Sequence, residues 1–222
     1  MKNLKCPYNH FECALLSEIT RLRKECETLR NLARIDELTG LFNFRFLKSA
    51  LEGEMERTRR TGLPTGLIMV DLDHFKHIND TYGHEKGNLA LKETARIWKN
   101  HIRKIDILCR YGGEEFVIIL PNTKIHDAVR AAERLRAALA SARLQFSDEN
   151  VRLTASFGVD EYRGEENLAA DAVIHRVDRF VLEAKAKGRN RVCYDRRRVV
   201  RPVTEVTAEE RESLFSGKQR KL

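Results

Sequence analysis

The sequence of 222 residues has no long apolar run and no cysteine framework, and both absences limit the kind of protein it can be. No stretch approaches the ~20 apolar residues that a membrane-spanning helix needs. The segment Met1–Cys13 is too polar for a signal peptide. The five cysteines are odd in number and scattered, which disfavours structural disulfides and agrees with a reducing compartment. We therefore expect a cytoplasmic protein without a membrane span.

The charge balance is basic, with 41 Lys and Arg against 33 Asp and Glu and a formal net charge of +8. A positive surplus suits polyphosphate ligands. Much of it lies in 185–201 and 218–221, where it could equally keep a terminal tail in solution. No base-reading motif accompanies these residues, so the sequence disfavours nucleic-acid binding. The length allows one domain of about 150 to 170 residues with a short segment at each end.

The most informative stretch is Arg110-Tyr-Gly-Gly-Glu-Glu-Phe116. Short apolar runs at 105–109 and 116–120 flank it, so Gly112-Gly113 predicts a hairpin turn that needs positive φ. The two adjacent carboxylates then lie where a strand begins. Such a turn is a place to hold metal and phosphate.

Five ordered motifs over roughly residues 36–195 resemble those of GGDEF domains, the diguanylate cyclases. Residues 112–116 are similar to the family signature in its Glu-Glu form. The others are the entry motif at 36–45, the strand and turn at 67–80, the Gly-His-x-x-Gly-Asn run at 83–88, and Lys185 with 188–191 as exit motif. The resemblance implies an enzyme that joins two GTP molecules into cyclic di-GMP with release of pyrophosphate.

The order of predicted elements indicates an α+β fold, with helices on a mixed sheet and an antiparallel hairpin in the middle. The resemblance implies the palm of nucleotide cyclases. We expect helices at 46–58, 88–103, 126–143 and 170–187, and strands at 67–71, 151–159 and 191–194.

The resemblance assigns a metal site to Asp71, Glu114, Glu115 and the carbonyl oxygen of Leu72. These are hard oxygen ligands of the kind that Mg²⁺ prefers, with Mn²⁺ as an alternative. One of the two glutamates could also receive the proton of the attacking hydroxyl, and which of them does so stays open.

Two further groups of residues are implied for the nucleotide. For the phosphates they are Lys76 with the backbone N–H groups near His74 and Phe75, and Lys185 with Arg189 from the other side. For guanine they are Asn79, His84 and residue 88. The family usually has Asp at this last position, whereas Asn88 offers one acceptor and two donors. We expect GTP as the main substrate, with promiscuity toward ATP as the leading variant.

A regulatory site is implied by Arg103-x-x-Asp106, whose spacing before Gly112 matches the family's inhibitory site for cyclic di-GMP, with Arg134 as its second arginine. Arginine can bind guanine and phosphate bidentately. The alternative is an ordinary ion pair at a helix end.

Near the N-terminus, apolar residues recur with 4-3-4-3-4 spacing from Leu15 to Ala33, which predicts a coiled coil over 15–35 that joins two chains. The alternative is a single amphipathic helix on its own domain. Cys6, His10 and Cys13 share a helical face and could bind a metal, although ordinary side chains would show the same spacing. We divide the chain into a possible sensor segment (1–14), the coiled coil, a catalytic domain (36–195) and a basic tail (196–222).

These observations together predict a homodimeric, Mg²⁺-dependent diguanylate cyclase that its product inhibits. Two alternatives stay open. The first is a promiscuous enzyme that makes cyclic GMP-AMP because of Asn88. The second is an inactive domain that serves as a receptor for nucleotide or cyclic di-GMP; a receptor has no need for the metal ligands that this chain retains.

Overall fold

The computed structural model describes residues 14–32, 34–146 and 149–198. The helices are α1 (Ala14–Leu32), α2 (Phe44–Thr61), α3 (Phe75–Tyr82), α4 (His84–Lys99), α5 (Ile125–Ser141) and α6 (Ala170–Ala186). The strands are β1 (Thr65–Leu72), β2 (Ile107–Gly112), β3 (Glu115–Leu120), β4 (Leu144–Phe146), β5 (Glu149–Val151), β6 (Ala155–Tyr162) and β7 (Val192–Tyr194), and a 3₁₀ helix covers Arg196–Arg198.

The main sheet has the strand order β2-β3-β1-β6-β7, with β1 at its centre. Strand β1 is antiparallel to both β3 and β6, while β6 and β7 are parallel. All eight residues of β1 are buried because helices cover both faces of the sheet. The predicted α+β fold with a mixed sheet flanked by helices is confirmed.

Alternation along β1 divides the core into two layers. Ile68 and Val70 pack in the layer that holds α3, α4 and α5. Leu67 and Met69 point the other way, into the layer that holds α2 and α6. Since successive side chains of a strand point to opposite faces, Asp71 lies on the α6 side of the sheet.

Several predicted boundaries were wrong for identifiable reasons. Helix α2 is longer than 46–58 because Asn43 caps its start and Gly62 ends it in the left-handed conformation. Helix α4 covers His84–Lys99 rather than 88–103, and α5 ends at Ser141. The predicted strand at 151–159 is two strands, since residues 152–154 carry the chain from a small hairpin to the main sheet. Of the two turn glycines, Gly113 has the positive φ of 49°.

Helix α1 begins at Ala14 and places apolar side chains on its surface, with Ile19 38%, Leu22 46% and Leu29 60% exposed. Its pairing with a second chain stays a prediction. Cys6, His10, Cys13 and the tail from residue 199 onward lie outside the described residues. None of the described helices combines the length and apolarity needed to cross a membrane.

The 3₁₀ helix is fastened to the domain by a buried network for which the sequence carried no signal. Arg198 pairs with Asp160 and Glu166 at 3.1 Å each. Asp160 is 1% exposed and also pairs with Arg176. Arg198 therefore closes a group of charges at the end of β6 remote from Asp71.

Candidate functional site

Two carboxylates meet at the end of the central strand. Asp71 on β1 is the direct cross-strand partner of Glu115 on β3, so both side chains lie on the α6 face. Glu114 lies in the turn before β3, and its carbonyl oxygen accepts the Leu72 N–H at 3.3 Å. The β1–β3 register thus brings Asp71 beside Glu115, and the Leu72 backbone beside that of Glu114.

The environment of these carboxylates disfavours their charged forms. Burial raises the pKa of Asp71, and the charges of Glu114 and Asp73 raise it further, while Lys185 opposes the rise. Burial also raises the pKa of Glu115, with added repulsion from Asp71 and from Asp178, a carboxylate of α6 to which we had given no role. A cation placed among these oxygens would relieve the repulsion.

Lys185 supplies a cation to this site from α6. Its Nζ lies 2.6 Å from Asp71 Oδ2. Across the described residues, no three His, Cys, Asp or Glu side chains are close enough to enclose a metal ion, so the site is not a preformed cage. Mg²⁺ is commonly held by one or two carboxylates together with water and substrate phosphates. The oxygen donors at Asp71, Leu72, Glu114 and Glu115 fit that pattern.

The residues predicted to contact phosphate surround the same strand end. His74 has a left-handed backbone (φ 55°), and α3 begins directly after it, so the first N–H groups of α3 have no partner within the helix. Lys76 is exposed in this first turn, whereas the Phe75 side chain is 5% exposed and belongs to the core. Phe75 can therefore contribute only its backbone. Arg189 lies in the loop after α6 and forms no ion pair with any described residue.

The residues predicted to bind guanine lie on the α3–α4 pair. Asn79 packs against Gly87, where an added Cβ would lie 1.9 Å from Asn79 Oδ1. His84 begins α4, and Asn88 is exposed one turn later. The structure thus groups Asn79, His84 and Asn88 around one helix junction.

Arg110 is a residue of the site that sequence reasoning missed, although it precedes the signature glycines. Its Nε and Nη2 donate to the Gly113 carbonyl at 3.0 and 2.8 Å. Its Nη1 lies 3.2 Å from both carboxylate oxygens of Asp36 in the entry motif. Asp36 is placed there because the entry segment runs beside β2, with Arg110 N–H donating to Phe42 O. Arg110 therefore ties the acidic turn to the segment that follows α1.

The residues predicted for an inhibitory site lie together between α4 and α5. Asp106 Oδ2 accepts the Arg103 N–H at 2.8 Å, and its Oδ1 is buried without a hydrogen-bond partner. Burial raises the pKa of Asp106, against the charges of Arg103 and Arg134. A cavity of about 650 Å³ lies elsewhere, at the far end of the sheet, while one of about 550 Å³ adjoins Arg103 and Asp106. Arg103 and Asp106 both line the cavity of about 550 Å³.

A mixed palm-like sheet with carboxylates and cations at the end of its central strand is the architecture of nucleotide cyclases. Comparison with known proteins specifies the family. The family model "Diguanylate cyclase, GGDEF domain" matches residues 33–191. The chain is 40% identical over 173 residues to the response regulator PleD of Caulobacter vibrioides, which covers 77% of this chain and 38% of PleD. The chain belongs to the GGDEF family and spans well under half the length of that relative.

Solved structures agree with this assignment. The coiled coil and GGDEF domain of DgcB from Caulobacter crescentus, in complex with c-di-GMP, matches with a TM-score of 0.70 and 29% identity, covering 81% of this chain and 94% of that one. The active GGEEF domain of a diguanylate cyclase from Vibrio cholerae matches with a TM-score of 0.64 and 34% identity, covering 68% of this chain and 96% of that one.

Proposed function

We propose that this protein is a diguanylate cyclase that condenses two GTP molecules into cyclic di-GMP and releases pyrophosphate. The observation that carries the proposal is the meeting of Asp71, Glu115 and Lys185 on one face of the sheet. Within a GGDEF domain, this arrangement offers oxygen ligands for a cation and an ammonium group for a triphosphate.

The reaction needs the 3′-hydroxyl of one nucleotide to attack the α-phosphate of another, and later the reverse attack. Lys76 and the first N–H groups of α3 hold phosphate on one side, and Arg189 holds it on the other. Lys185 leaves Asp71 for the phosphates when nucleotide arrives. A divalent cation bound by Asp71, Leu72 O, Glu114 and Glu115 would neutralise phosphate charge and acidify the hydroxyl. Glu114 or Glu115 then receives the proton.

Two chains are needed because each domain presents one nucleotide in half of an active site. The exposed Ile19, Leu22 and Leu29 of α1 support pairing through this helix. We expect Leu22→Asp to lower turnover at dilute protein far more than nucleotide binding per chain. The matched control is Lys24→Asp, an exposed position on the helix face opposite the apolar seam. Equal loss of turnover and binding would contradict the proposal.

Selection of the base depends on Asn88. An unpaired donor or acceptor costs about 1–3 kcal/mol, enough for a roughly 10- to 100-fold change in discrimination. Adenine presents an N1 acceptor and a 6-amino donor that an amide can match, so cyclic GMP-AMP is the variant product. The exposure of Asn88 supports a role at the mouth of the pocket rather than in the core.

Product control is proposed at Arg103, Asp106 and Arg134. The cavity lined by Arg103 and Asp106 supports a ligand there. The receptor alternative would use the same residues without catalysis. We expect Arg134→Ala to raise the cyclic di-GMP concentration for half-inhibition about tenfold, as for the loss of a charged hydrogen bond. An unchanged inhibition curve would exclude this site.

The deciding experiment incubates the purified chain with Mg²⁺ and GTP, ATP or both, with products identified by chromatography and mass spectrometry. Cyclic di-GMP alone supports the main proposal, and cyclic GMP-AMP supports the variant. Asn88→Asp should then raise guanine selection. Glu115→Gln should lower product formation at least about 100-fold, whereas Glu165→Gln, exposed at the other end of the sheet, should not. Cyclic di-GMP binding without product would favour a receptor.

A further inference from the structure

The Asp73 carboxylate is buried and fully engaged, although the proposed reaction gives it nothing to bind. Asp73 is 4% exposed. Its Oδ1 accepts from the Ser156 hydroxyl at 2.7 Å, and its Oδ2 accepts from the Thr154 hydroxyl at 2.7 Å. Oδ2 also accepts from the backbone N–H of Asn190 at 3.0 Å. Asp73 thus joins the end of β1 both to the start of β6 and to the loop between α6 and β7.

That loop has a backbone that needs support. Gly188, Arg189 and Asn190 follow one another with φ values of 102°, 60° and 45°. Residues other than glycine seldom adopt this left-handed backbone conformation, and they keep it only where surrounding contacts hold them there. The Arg189 N–H donates to Ala184 O at 2.9 Å, which anchors the loop to α6. The bond from Asn190 to Asp73 anchors its other side to the central strand.

The loop carries the cation that the proposed function needs. Arg189 lies one residue before the Asp73 contact, and Lys185 lies at the end of the helix that leads into the loop. Within the described part of the chain Arg189 pairs with no carboxylate, so its guanidinium is available to an anion. Any shift of the loop would move this group relative to Lys185.

We propose that Asp73 is a positioning residue that, through the Asn190 N–H, holds Arg189 and the end of α6 in the shape that grips the triphosphate tail. The inference rests on the proposed function. The two aspartates at this strand end therefore differ: Asp71 pairs with Lys185 and is proposed to bind the metal, whereas both oxygens of Asp73 accept hydrogen bonds from protein donors.

A positioning role depends on hydrogen-bond geometry and not on charge. In Asp73→Asn, the amide oxygen can take the place of Oδ2 and accept from Thr154 and Asn190. The amide nitrogen can donate to the Ser156 oxygen, because a hydroxyl both donates and accepts. The asparagine variant therefore keeps the link, while Asp73→Ala removes it. Thr154→Val is the matched control, since it removes one bond to the same oxygen and leaves the Asn190 bond.

The test measures, by calorimetry on the full chain with Mg²⁺, the affinities for 3′-deoxyGTP and 3′-deoxyGMP, neither of which has the 3′-hydroxyl needed to react. Only the triphosphate has a tail that reaches Arg189. We expect Asp73→Ala to weaken triphosphate binding about tenfold or more and monophosphate binding less than about threefold, as for one lost anchoring contact. Asp73→Asn and Thr154→Val should keep the wild-type ratio of the two affinities.

The proposal would be overturned if Asp73→Ala left the ratio of the two affinities unchanged, whether both affinities fell equally or neither fell. A fall in Asp73→Asn as large as in the alanine variant would overturn it too, since that result would assign the role to charge. Asp73→Ser, which keeps a small polar group in the buried position, replaces the alanine variant if the latter does not fold. If the wild type binds the triphosphate but forms no product from GTP, only the proposed cyclase activity is refuted. If the wild type does not prefer the triphosphate to the monophosphate, the proposed role of Arg189 in holding the triphosphate tail is refuted.

Discussion

Replacing Arg110 by methionine is the most informative perturbation of the signature turn. The Arg110 side chain is 15% exposed, and three nitrogens of its guanidinium bind Asp36 and the Gly113 carbonyl. Methionine keeps most of the apolar stem and removes every one of these bonds. Asp36 would keep its bonds from the Thr39 hydroxyl and N–H, so the entry motif loses one of its two supports.

The expected loss follows from this geometry. A hydrogen bond to a charged group contributes about 1.5–3 kcal/mol, and partial exposure on both sides lowers that contribution. We expect the free energy of unfolding to fall by about 2 kcal/mol, or about 4–8 °C in Tm for a domain of this size. The stability of Arg110→Lys should lie between those of the wild type and Arg110→Met, because an ammonium group cannot bridge two acceptors as a guanidinium does. Product formation should fall by more than about tenfold, since the turn that carries Glu114 is released.

Chemical denaturation across pH is the assay. Burial raises the pKa of Asp36, but the bonds from Thr39 and the charge of Arg110 outweigh it, so the pKa lies below its usual value. A lowered carboxyl pKa stabilises the fold above the pKa of the unfolded chain, and this stability is lost as the pH falls through the folded value. Arg110→Met should therefore lose less stability than the wild type as the pH is lowered. A stability within about 0.5 kcal/mol of wild type, as expected for the exposed control Arg96→Met, would refute the reasoning.

Three further results are expected. Without nucleotide, Lys185→Met should tighten Mn²⁺ binding about fivefold, which corresponds to the loss of a repulsion of about 1 kcal/mol in a hydrated site. The same change should weaken GTP binding. An unchanged metal affinity in a titration would show that Lys185 does not compete with the metal at Asp71. Arg198→Met should lower the free energy of unfolding by about 1–2 kcal/mol because it leaves Asp160 with one cationic partner. Its neighbour Arg197, whose side chain is 91% exposed, should tolerate the same change. Equal effects of the two substitutions would contradict a buried network. Burial raises the pKa of Cys109 to about 12, so iodoacetamide at neutral pH should leave Cys109 unmodified until the protein is unfolded, as peptide mass mapping would show.

The sequence was sufficient for the architecture, because the helices and strands depend on local pattern. An apolar run that ends in Asp71 reads as a buried strand, and a Gly-Gly turn before Glu115 reads as a hairpin. The β1–β3 register, which the sequence does not give, places both side chains on one face. The ends of α2 were missed although Asn43 and Gly62 are readable caps. The break at 152–154 has no such local signal.

The supports of the site could not be predicted because they join residues far apart in the chain. Asp36 and Arg110 are separated by 74 positions, and Asp73 and Asn190 by 117. Arginines and aspartates are usually solvated, and only the packing of the entry segment on β2, or of the last loop on β1, selects these pairs. The fold groups Asn79, His84 and Asn88 at one helix junction, and their assigned roles stay predictions.

The close approach of Asn79 to Gly87 has a consequence for how the base pocket can change over time. A side chain at residue 87 would displace the Asn79 amide, so a change of Gly87 disturbs a residue predicted to bind the base. Residue 88 is exposed and has no such constraint, so a single codon change there can exchange donors for acceptors while the helix junction stays intact. Drift in nucleotide preference would therefore begin at residue 88, without loss of stability.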